Sequence, residues 1–293
     1  MQTISRLLIC GFAVCLIAVV SQLIGARALE WRGYTLLAWA AILTLSLQWL
    51  AFIPAFIKKT EVFYDLMGSL NYLVLVWVGA WWAHRADLLN TRRSVIVIMV
   101  SLWAIRLGGY LFLRVKRRGK DARFDELKYH APSFLMAWTL QALWVYITLI
   151  PAMVIMTRDV HVGPLHWIEL LGWILWCVGW TIELVADHQK SRFQKRAETK
   201  EQWINHGLWS VVQHPNYAGE IILWLGIFTS GLPHYSAGEW WAILSPALVF
   251  CLLRYVSGIP LLQDRARARW GDDPEYRAYA ESTPLLVPKF SQS

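Results

Sequence analysis

Long apolar runs separated by short polar segments divide this chain of 293 residues. Eight runs are long enough to cross about 30 Å of hydrocarbon as helices. They lie near residues 7–25, 34–57, 63–82, 94–113, 134–156, 166–186, 217–233 and 240–261. The pattern predicts an all-α fold, a polytopic membrane helical bundle with about seven to eight transmembrane helices.

The first apolar run allows two interpretations. Arg6 precedes it, and Ala26-Arg27-Ala28 follows it in the manner of a signal-peptide cleavage site. We interpret the run as a retained helix, because many further spans follow. The chain then divides into N-terminal membrane helices at 1–60 and a membrane domain with a C-terminal tail at 61–293.

The composition agrees with a membrane protein. Hydrophobic residues make up 57% of the chain and charged residues only 16%, which exceeds the apolar share of an ordinary soluble core. The 19 tryptophans are hard to place in one packed core, whereas indole rings are favoured at both membrane interfaces. Both observations support several spans.

Other classes of protein are less compatible with the sequence. The net charge of +8 could indicate nucleic-acid binding, but the basic residues lie in short loops where anionic lipid or a phosphorylated ligand can meet them. The four cysteines lie in apolar runs without CxxC spacing, so neither a disulfide framework nor a metal site is expected. No GxGxxG or P-loop sequence is present.

The orientation follows from two basic segments, which should be cytoplasmic. They contain Arg114, Lys116, Arg117, Arg118, Lys120, Arg123 and Lys128 in the first, and Lys190, Arg192, Lys195, Arg196 and Lys200 in the second. One loop disagrees, because Arg85, Arg92 and Arg93 would lie on the other side. We expect a bacterial inner-membrane protein.

Ionisable side chains at membrane depth usually face a cavity or a partner. Tyr64 and Asp65 begin the third run, as interfacial anchors or as part of a pocket. Arg106, Tyr110 and Arg114 are spaced by four and so share one helix face, where the arginines could bind a ligand or extend to the interface.

A second group follows the sixth run. Glu183 and Asp187 are four residues apart, a repulsive pairing that a ligand or Lys190 can relieve. The segment Gln213-His214-Pro215-Asn216-Tyr217-Ala218-Gly219-Glu220 offers either plain helix capping or a helix N-terminus that faces a phosphate. Arg254 lies inside the last run, where an unpaired guanidinium would be costly, and Arg267 and Tyr276 follow in the tail.

Taken in order, these groups resemble the steroid 5α-reductase superfamily, especially its bacterial branch of uncharacterised membrane reductases. The similarity runs from about residue 60 to the end and is strongest over Gly207–Gly226. It implies a core of seven spans, with the first span here as an addition, and NADPH in a cytoplasm-facing cavity.

The resemblance also implies roles for individual residues. Asp65 aligns with a catalytic Glu, and Tyr110 and Arg106 match a Tyr and an Arg of the next helix. The implied cofactor-binding set, to which we add neighbouring basic and tail residues, is Arg106, Arg114, Asp187, Lys190, Asn216, Tyr217, Glu220, Arg254, Arg267 and Tyr276.

Several positions depart from the family pattern. Trp103 stands where the family has its catalytic Tyr, and Tyr64 stands where a Gln is expected. We hypothesise that Tyr64 supplies the missing phenol. Glu183 and Arg114 each replace an expected Asn, so the sequence does not decide the cofactor contacts at these two positions. Given these departures, the resemblance does not imply a steroid substrate.

The implied reaction is reduction of a carbon–carbon double bond conjugated to a carbonyl, in an apolar substrate that enters from the lipid. Asp65, if protonated, and Tyr64 would stabilise charge on the carbonyl oxygen. Membrane S-adenosylmethionine-dependent methyltransferases also carry His-Pro-x-Tyr before a helix and are the first alternative. A non-catalytic lipid-binding protein is the second, and the oligomeric state is not predicted.

Overall fold

A computed structural model describes residues 2–118, 121–158, 163–196 and 202–289. Lys120 and Lys200 of the predicted basic segments lie outside the described residues. The helices are α1 Gln2–Ile24, α2 Leu36–Ile57, α3 Tyr64–Arg85, α4 Thr91–Arg118, α5 Ala131–Thr157, α6 Trp167–Lys195, α7 Pro215–Gly231, α8 Leu244–Cys251, α9 Ile259–Trp270 and α10 Pro274–Ser282. A two-stranded hairpin, β1 Glu30–Trp31 and β2 Tyr34–Thr35, precedes α2.

The predicted all-α membrane bundle is confirmed. Within the described residues, seven helical segments are long and apolar enough to cross a membrane, namely α1 to α6 and the segment Glu239–Trp270 that contains α8 and α9. The remaining predicted run corresponds to α7, whose 17 residues measure about 25 Å and fall short of the usual hydrocarbon thickness.

The hairpin before α2 was not predicted from the sequence. Its turn residues Arg32 and Gly33 have φ values of 53° and 79°, the conformation of a tight hairpin turn. Thr35 then caps α2, because its side chain accepts a hydrogen bond from the backbone N–H of Ala38 at 3.2 Å. The turn was missed because arginine is an uncommon residue at positive φ.

The chain forms two compact units. Unit 1 contains the described residues of Met1–His166 and Gly231–Ser245, and unit 2 those of Trp167–Ser230 and Pro246–Ser293. In unit 1, the deeply buried α5 packs against α1, α2 and α3. Helix α1 buries Ala13 and Ile17, so it is a packed part of this unit.

Buried arginines at one end of unit 1 explain the loop that disagreed with the predicted orientation. Arg93 is 1% exposed and donates to the backbone carbonyls of Ile155 at 3.1 Å and Arg158 at 2.9 Å. Arg92 donates to two carbonyls of the segment after α5. Arg158 pairs with buried Glu239 at 3.0 Å. Arg92 and Arg93, two of the three basic residues that conflicted with the predicted orientation, therefore stabilise the fold through hydrogen bonds to backbone carbonyls.

Glycines bring α6 and α7 of unit 2 into backbone contact. A Cβ added at Gly179 would lie 2.6 Å from the carbonyl oxygen of Gly219, and one at Gly172 would lie 2.6 Å from that of Gly226. The two contacts are seven residues apart on each helix, and the residue number rises along α6 while it falls along α7. The two helices therefore run antiparallel and are in contact along one face. Small residues at such contacts are typical of membrane helices.

Candidate functional site

The glycine contact in unit 2 positions the predicted polar residues at one end of α6 and α7. Asn216 Nδ2 donates to Asp187 Oδ1 at 3.3 Å, which joins the first turn of α7 to α6. Asp187 is 9% exposed, and Glu183, one turn earlier, is 3% exposed. Glu183 lies directly against Gly219, whose added Cβ would be 3.0 Å from the Cβ of Glu183. A pair of buried carboxylates therefore borders the start of α7.

His214 precedes α7 and is 8% exposed. Its ring stacks on that of Tyr217 with 5.7 Å between centroids, and neither ring nitrogen has a hydrogen-bond partner among the described residues. Burial, assisted by the positive charges of Lys190 and Arg254, lowers the pKa of His214 to about 3. The imidazole is therefore neutral at physiological pH, with buried polar atoms open to a ligand.

The segment before His214 is fixed from both sides. Trp209 Nε1 donates to the carbonyl of Ala186 at 3.2 Å, and Lys190 Nζ lies 4.7 Å from the centroid of the Trp209 ring. Tyr279 of α10 donates its hydroxyl to the Trp209 carbonyl at 2.7 Å. Burial raises the pKa of Tyr279 to about 12, so this donor keeps its proton. The tail thus holds the turn that leads into α7.

The remaining predicted residues of unit 2 are more peripheral. Arg254 lies in a π-helical turn between α8 and α9, with its guanidinium 5.0 Å from the centroid of the Tyr255 ring. Arg267 is exposed, and Tyr276 packs its ring against Trp203 at 5.2 Å. Burial raises the pKa of Tyr276 although the charge of Arg267 opposes the shift. Glu220 is half-buried on α7, one turn beyond Asn216.

Unit 2 therefore brings together part of the predicted cofactor-binding set. Asp187 and Asn216 are in contact, Tyr217 stacks on His214, and Lys190 and Arg254 lie within electrostatic range of that imidazole. In the sequence, His214 stands out only as a member of the segment that precedes α7. Its burial could not be deduced from the sequence.

In unit 1, Asp65 belongs to an ion cluster. Its carboxylate accepts from Arg123 Nη2 at 3.2 and 3.3 Å, and Arg114 Nη2 lies 4.0 Å away. Arg123 also binds Asp121 at 2.6 Å. Partial burial raises the pKa of Asp121, but the hydrogen bonds and charge of Arg123 outweigh it and lower the pKa below its ordinary value. The pairing of Arg123 with Asp65 was not predicted from the sequence.

The predicted phenol donors also have surroundings of their own. The Tyr64 hydroxyl donates to the Ala137 carbonyl at 2.9 Å, and its ring packs on Phe124 and Trp138 at 4.6 and 5.0 Å. Tyr110 is half-buried on α4. Arg106, Tyr110 and Arg114 do lie on one helix, as their spacing of four predicted. Trp103, at the family's Tyr position, is 1% exposed against Tyr72.

A basic pocket of about 190 Å³ in unit 2 was missed from the sequence. It is lined by His188, Gln189, Arg192, Phe193, Arg196 and His206. On α6, His188 and Arg192 are four residues apart and so share a face, which differs from the face of Gly179 and Glu183, and Arg196 follows directly after the helix ends. This pocket could accept an anion, but it lies on another side of α6 from Asp187.

The predicted polar residues of unit 2 differ in their chemistry. Cationic, amide, imidazole and carboxylate groups are present together, and the unpartnered nitrogens of His214 need a ligand or water. Within the described residues, no group of three or more His, Cys, Asp or Glu side chains could hold a metal ion. All four cysteines are free thiols.

Comparison with known proteins identifies one family. Searches among curated proteins and among solved structures found no significant match. A scan against protein families matches residues 49–283 to the family described as "Protein of unknown function (DUF1295)". The match covers well over half of the 293 residues and includes every predicted site residue. The chain therefore belongs to this family.

Proposed function

We propose that the protein is a membrane-embedded, NADPH-dependent reductase of a carbon–carbon double bond conjugated to a carbonyl in an apolar, steroid-like or lipid-like substrate. The observation that carries the proposal is the group of polar residues around the start of α7, where Asn216 is hydrogen-bonded to Asp187 and the buried His214 imidazole has no hydrogen-bond partner within the described residues. The family, which is related to steroid 5α-reductase-like membrane proteins, supports the same reaction class.

Residues of unit 2 would hold the cofactor. Asp187 and Asn216 offer an acceptor and an amide for hydroxyl or carboxamide groups, and His214 and Tyr217 offer a stacked aromatic pair. Lys190 and Arg254 supply positive charge for phosphate oxygens, which favours the more highly phosphorylated dinucleotide. Glu220, Arg267 and Tyr276 of unit 2, together with Arg106 and Arg114, complete the proposed set. When bound, NADPH supplies the hydride.

Three further residues are proposed to act on the substrate. As hydride reaches the β carbon, negative charge grows on the carbonyl oxygen, and donors held there lower the barrier. Asp65, Tyr64 and Tyr110 are the proposed groups, with Arg106 and Arg114 on the same helix as Tyr110. Because the Tyr64 hydroxyl donates to Ala137, it must exchange that carbonyl for the substrate oxygen in order to act.

We further propose a bacterial inner membrane as the location, with the cofactor side cytoplasmic, because the two basic segments lie at the C-terminal ends of α4 and α6. The substrate would be a small apolar molecule taken from the bilayer, and no nucleic acid is involved.

Ligand binding tests the cofactor assignment. The purified chain in detergent is titrated with NADPH and with S-adenosylmethionine while thermal unfolding is followed. A ligand at a hundred times its dissociation constant stabilises by about 2.7 kcal/mol. We expect NADPH to stabilise the protein and Asn216→Ala to remove the effect, while the exposed Asn205→Ala leaves it intact. Stabilisation by S-adenosylmethionine alone would instead indicate a methyltransferase, and stabilisation by neither would indicate a non-catalytic lipid-binding protein.

Turnover tests the role of Asp65. NADPH oxidation is measured with testosterone and with a linear lipid-soluble enone. Asp65→Leu removes both charge and hydrogen bonding and should abolish turnover without affecting NADPH binding. Asp65→Asn keeps a hydrogen-bond donor, so it retains part of the activity if a neutral donor is what the reaction needs. The exposed Asp87→Asn is the matched control, and full activity of Asp65→Leu would remove this residue from the mechanism.

A further inference from the structure

An apolar cavity of about 270 Å³ lies in unit 1, far from the predicted catalytic residues. Its lining comes from α2, α3, α5 and the hairpin, and includes Trp31, Trp39, Ser46, Gly79, Trp82 and Met153. On α3, Gly79 is 14 residues from Asp65, which corresponds to about 21 Å along the helix axis. The cavity is therefore a separate site from the one proposed for reduction.

The cavity is open to the surface that membrane lipid covers. Ile42 and Val78 line it and are themselves 51% and 39% exposed on membrane-spanning helices. Along α2 the lining extends from Leu36 to Ser46, a rise of about 15 Å, which is half of the usual 30 Å of hydrocarbon. The depth thus matches one leaflet.

Most of the lining is apolar, and two of its polar side chains already have partners. Trp39 Nε1 donates to the carbonyl of Trp31 at 3.0 Å, and Thr157 Oγ1 donates to the carbonyl of Met153 at 2.8 Å. Such a wall favours a ligand without hydrogen-bonding groups of its own. The volume lies just below the roughly 300–1,000 Å³ of ordinary small-molecule pockets, which suits one hydrocarbon chain better than a ring system.

The guanidinium of Arg32 lies at the end of the cavity that is lined by Trp31, Trp39 and Trp82. Arg32 lies in the hairpin turn with its guanidinium carbon 4.9 Å from the centroid of the Trp31 ring, and its φ of 53° is an uncommon conformation. Glu30 is also exposed, but the alternation of side chains along β1 directs it to the face opposite Trp31. Tryptophan and arginine together are typical of the headgroup level of a membrane.

We propose that this cavity binds one acyl chain of a glycerophospholipid whose phosphate pairs with Arg32. The chain fills the groove between α2 and α3, and the tryptophans lie at the glycerol level. The site does not depend on the proposed reductase activity.

Native mass spectrometry of the full chain in detergent tests the site, with dioleoylphosphatidylglycerol as the probe and dioleoylglycerol as its headgroup-free counterpart. Ser46→Phe fills the cavity and should weaken binding of the phospholipid at least tenfold. The control Leu50→Phe alters a 65% exposed position of α2 outside the lining and should bind within twofold of the unaltered protein. Ile42→Trp narrows the mouth at an exposed position and repeats the test if Ser46→Phe does not fold.

The headgroup contact has its own variant. Arg32→Asn removes the charge while tolerating positive φ. It should weaken phosphatidylglycerol about fivefold, as expected for one basic residue near the membrane surface, and leave dioleoylglycerol unchanged. Unchanged binding in both Ser46→Phe and Ile42→Trp would overturn the cavity as the site, and equal affinity of the unaltered protein for the two lipids would overturn the pairing with Arg32.

Discussion

The glycine contact between α6 and α7 gives the sharpest prediction about stability. A Cβ at Gly179 would lie 2.5 Å from the backbone nitrogen of Leu223, whereas ordinary van der Waals contact begins near 3.4 Å. The two helices must therefore separate by about 0.9 Å in Gly179→Ala. The obstacle is helix backbone, which cannot rotate away as a flexible side chain can.

The size of the effect follows from this comparison. Overpacking by one methyl group in a tight interface costs about 1–3 kcal/mol, and a rigid obstacle places Gly179→Ala at the upper end. The control is Gly109→Ala on α4, where an added Cβ meets nothing within 4 Å. There, the higher helix propensity of alanine should stabilise the protein by about 0.5–1 kcal/mol. The unfolding free energies of the two variants should differ by about 3.5–4 kcal/mol.

Equilibrium unfolding in mixed micelles of mild detergent and dodecyl sulfate, followed by tryptophan fluorescence, measures the difference. Separation of α6 and α7 should also break the 3.3 Å contact between Asp187 and Asn216, so NADPH stabilisation should weaken in Gly179→Ala but not in Gly109→Ala. Equal unfolding free energies for the two variants would refute the argument that backbone contact at Gly179 holds these helices together.

Three further predictions concern buried polar groups. Both amide atoms of the fully buried Gln48 lack a hydrogen-bond partner within the described part of the chain. Gln48→Met should therefore raise the free energy of unfolding by about 1–2 kcal/mol. A lower free energy of unfolding in this variant would mean that water or a ligand binds the amide. Glu239→Gln should lower the free energy of unfolding by about 3 kcal/mol in the same assay, because Arg158 loses its buried counter-charge. An unchanged unfolding midpoint would contradict this prediction. The neutral form of His214 contributes stability that is complete above the ordinary histidine pKa of about 6.5 and is lost as pH falls towards the lowered pKa of about 3. Relative to His214→Gln, the free energy of unfolding of the unaltered protein should fall by about 2–3 kcal/mol between pH 7 and pH 4.5. Parallel pH profiles of the two proteins would exclude the lowered pKa.

The membrane helices were predictable because their signal is strong and local. A helix such as α5 must satisfy its backbone within itself and present apolar side chains to lipid or to neighbours, which a single run of sequence reveals. The hairpin before α2 depends on two consecutive positive φ values, and its Arg-Gly turn carries only half of the usual sequence signal. The close face of α6 and α7 was also visible in principle, as glycines seven residues apart on both helices.

Pairings between distant charges were not predictable in the same way. The apolar residues that follow Asp65 along α3 predict an apolar environment for its carboxyl group, but the structure provides Arg123 from a segment 58 positions away. Nothing in the spacing of either residue specifies that partner. The same holds for Arg93, whose donors meet carbonyls of α5 that no motif marks.

The environment of Asp65 bears directly on how a reductase of this kind would work. Both carboxyl oxygens of Asp65 accept hydrogen bonds from Arg123, so neither faces the carbonyl oxygen of a substrate while that contact persists. The proposed donor role therefore requires either that substrate displaces Arg123 from Asp65 or that the guanidinium itself faces the oxygen while Asp65 orients it. Arg123→Gln separates these routes. If Asp65 acts as a neutral donor, loss of the arginine frees it and turnover persists, whereas if Arg123 is the donor, turnover is lost in Arg123→Gln and in Asp65→Leu alike.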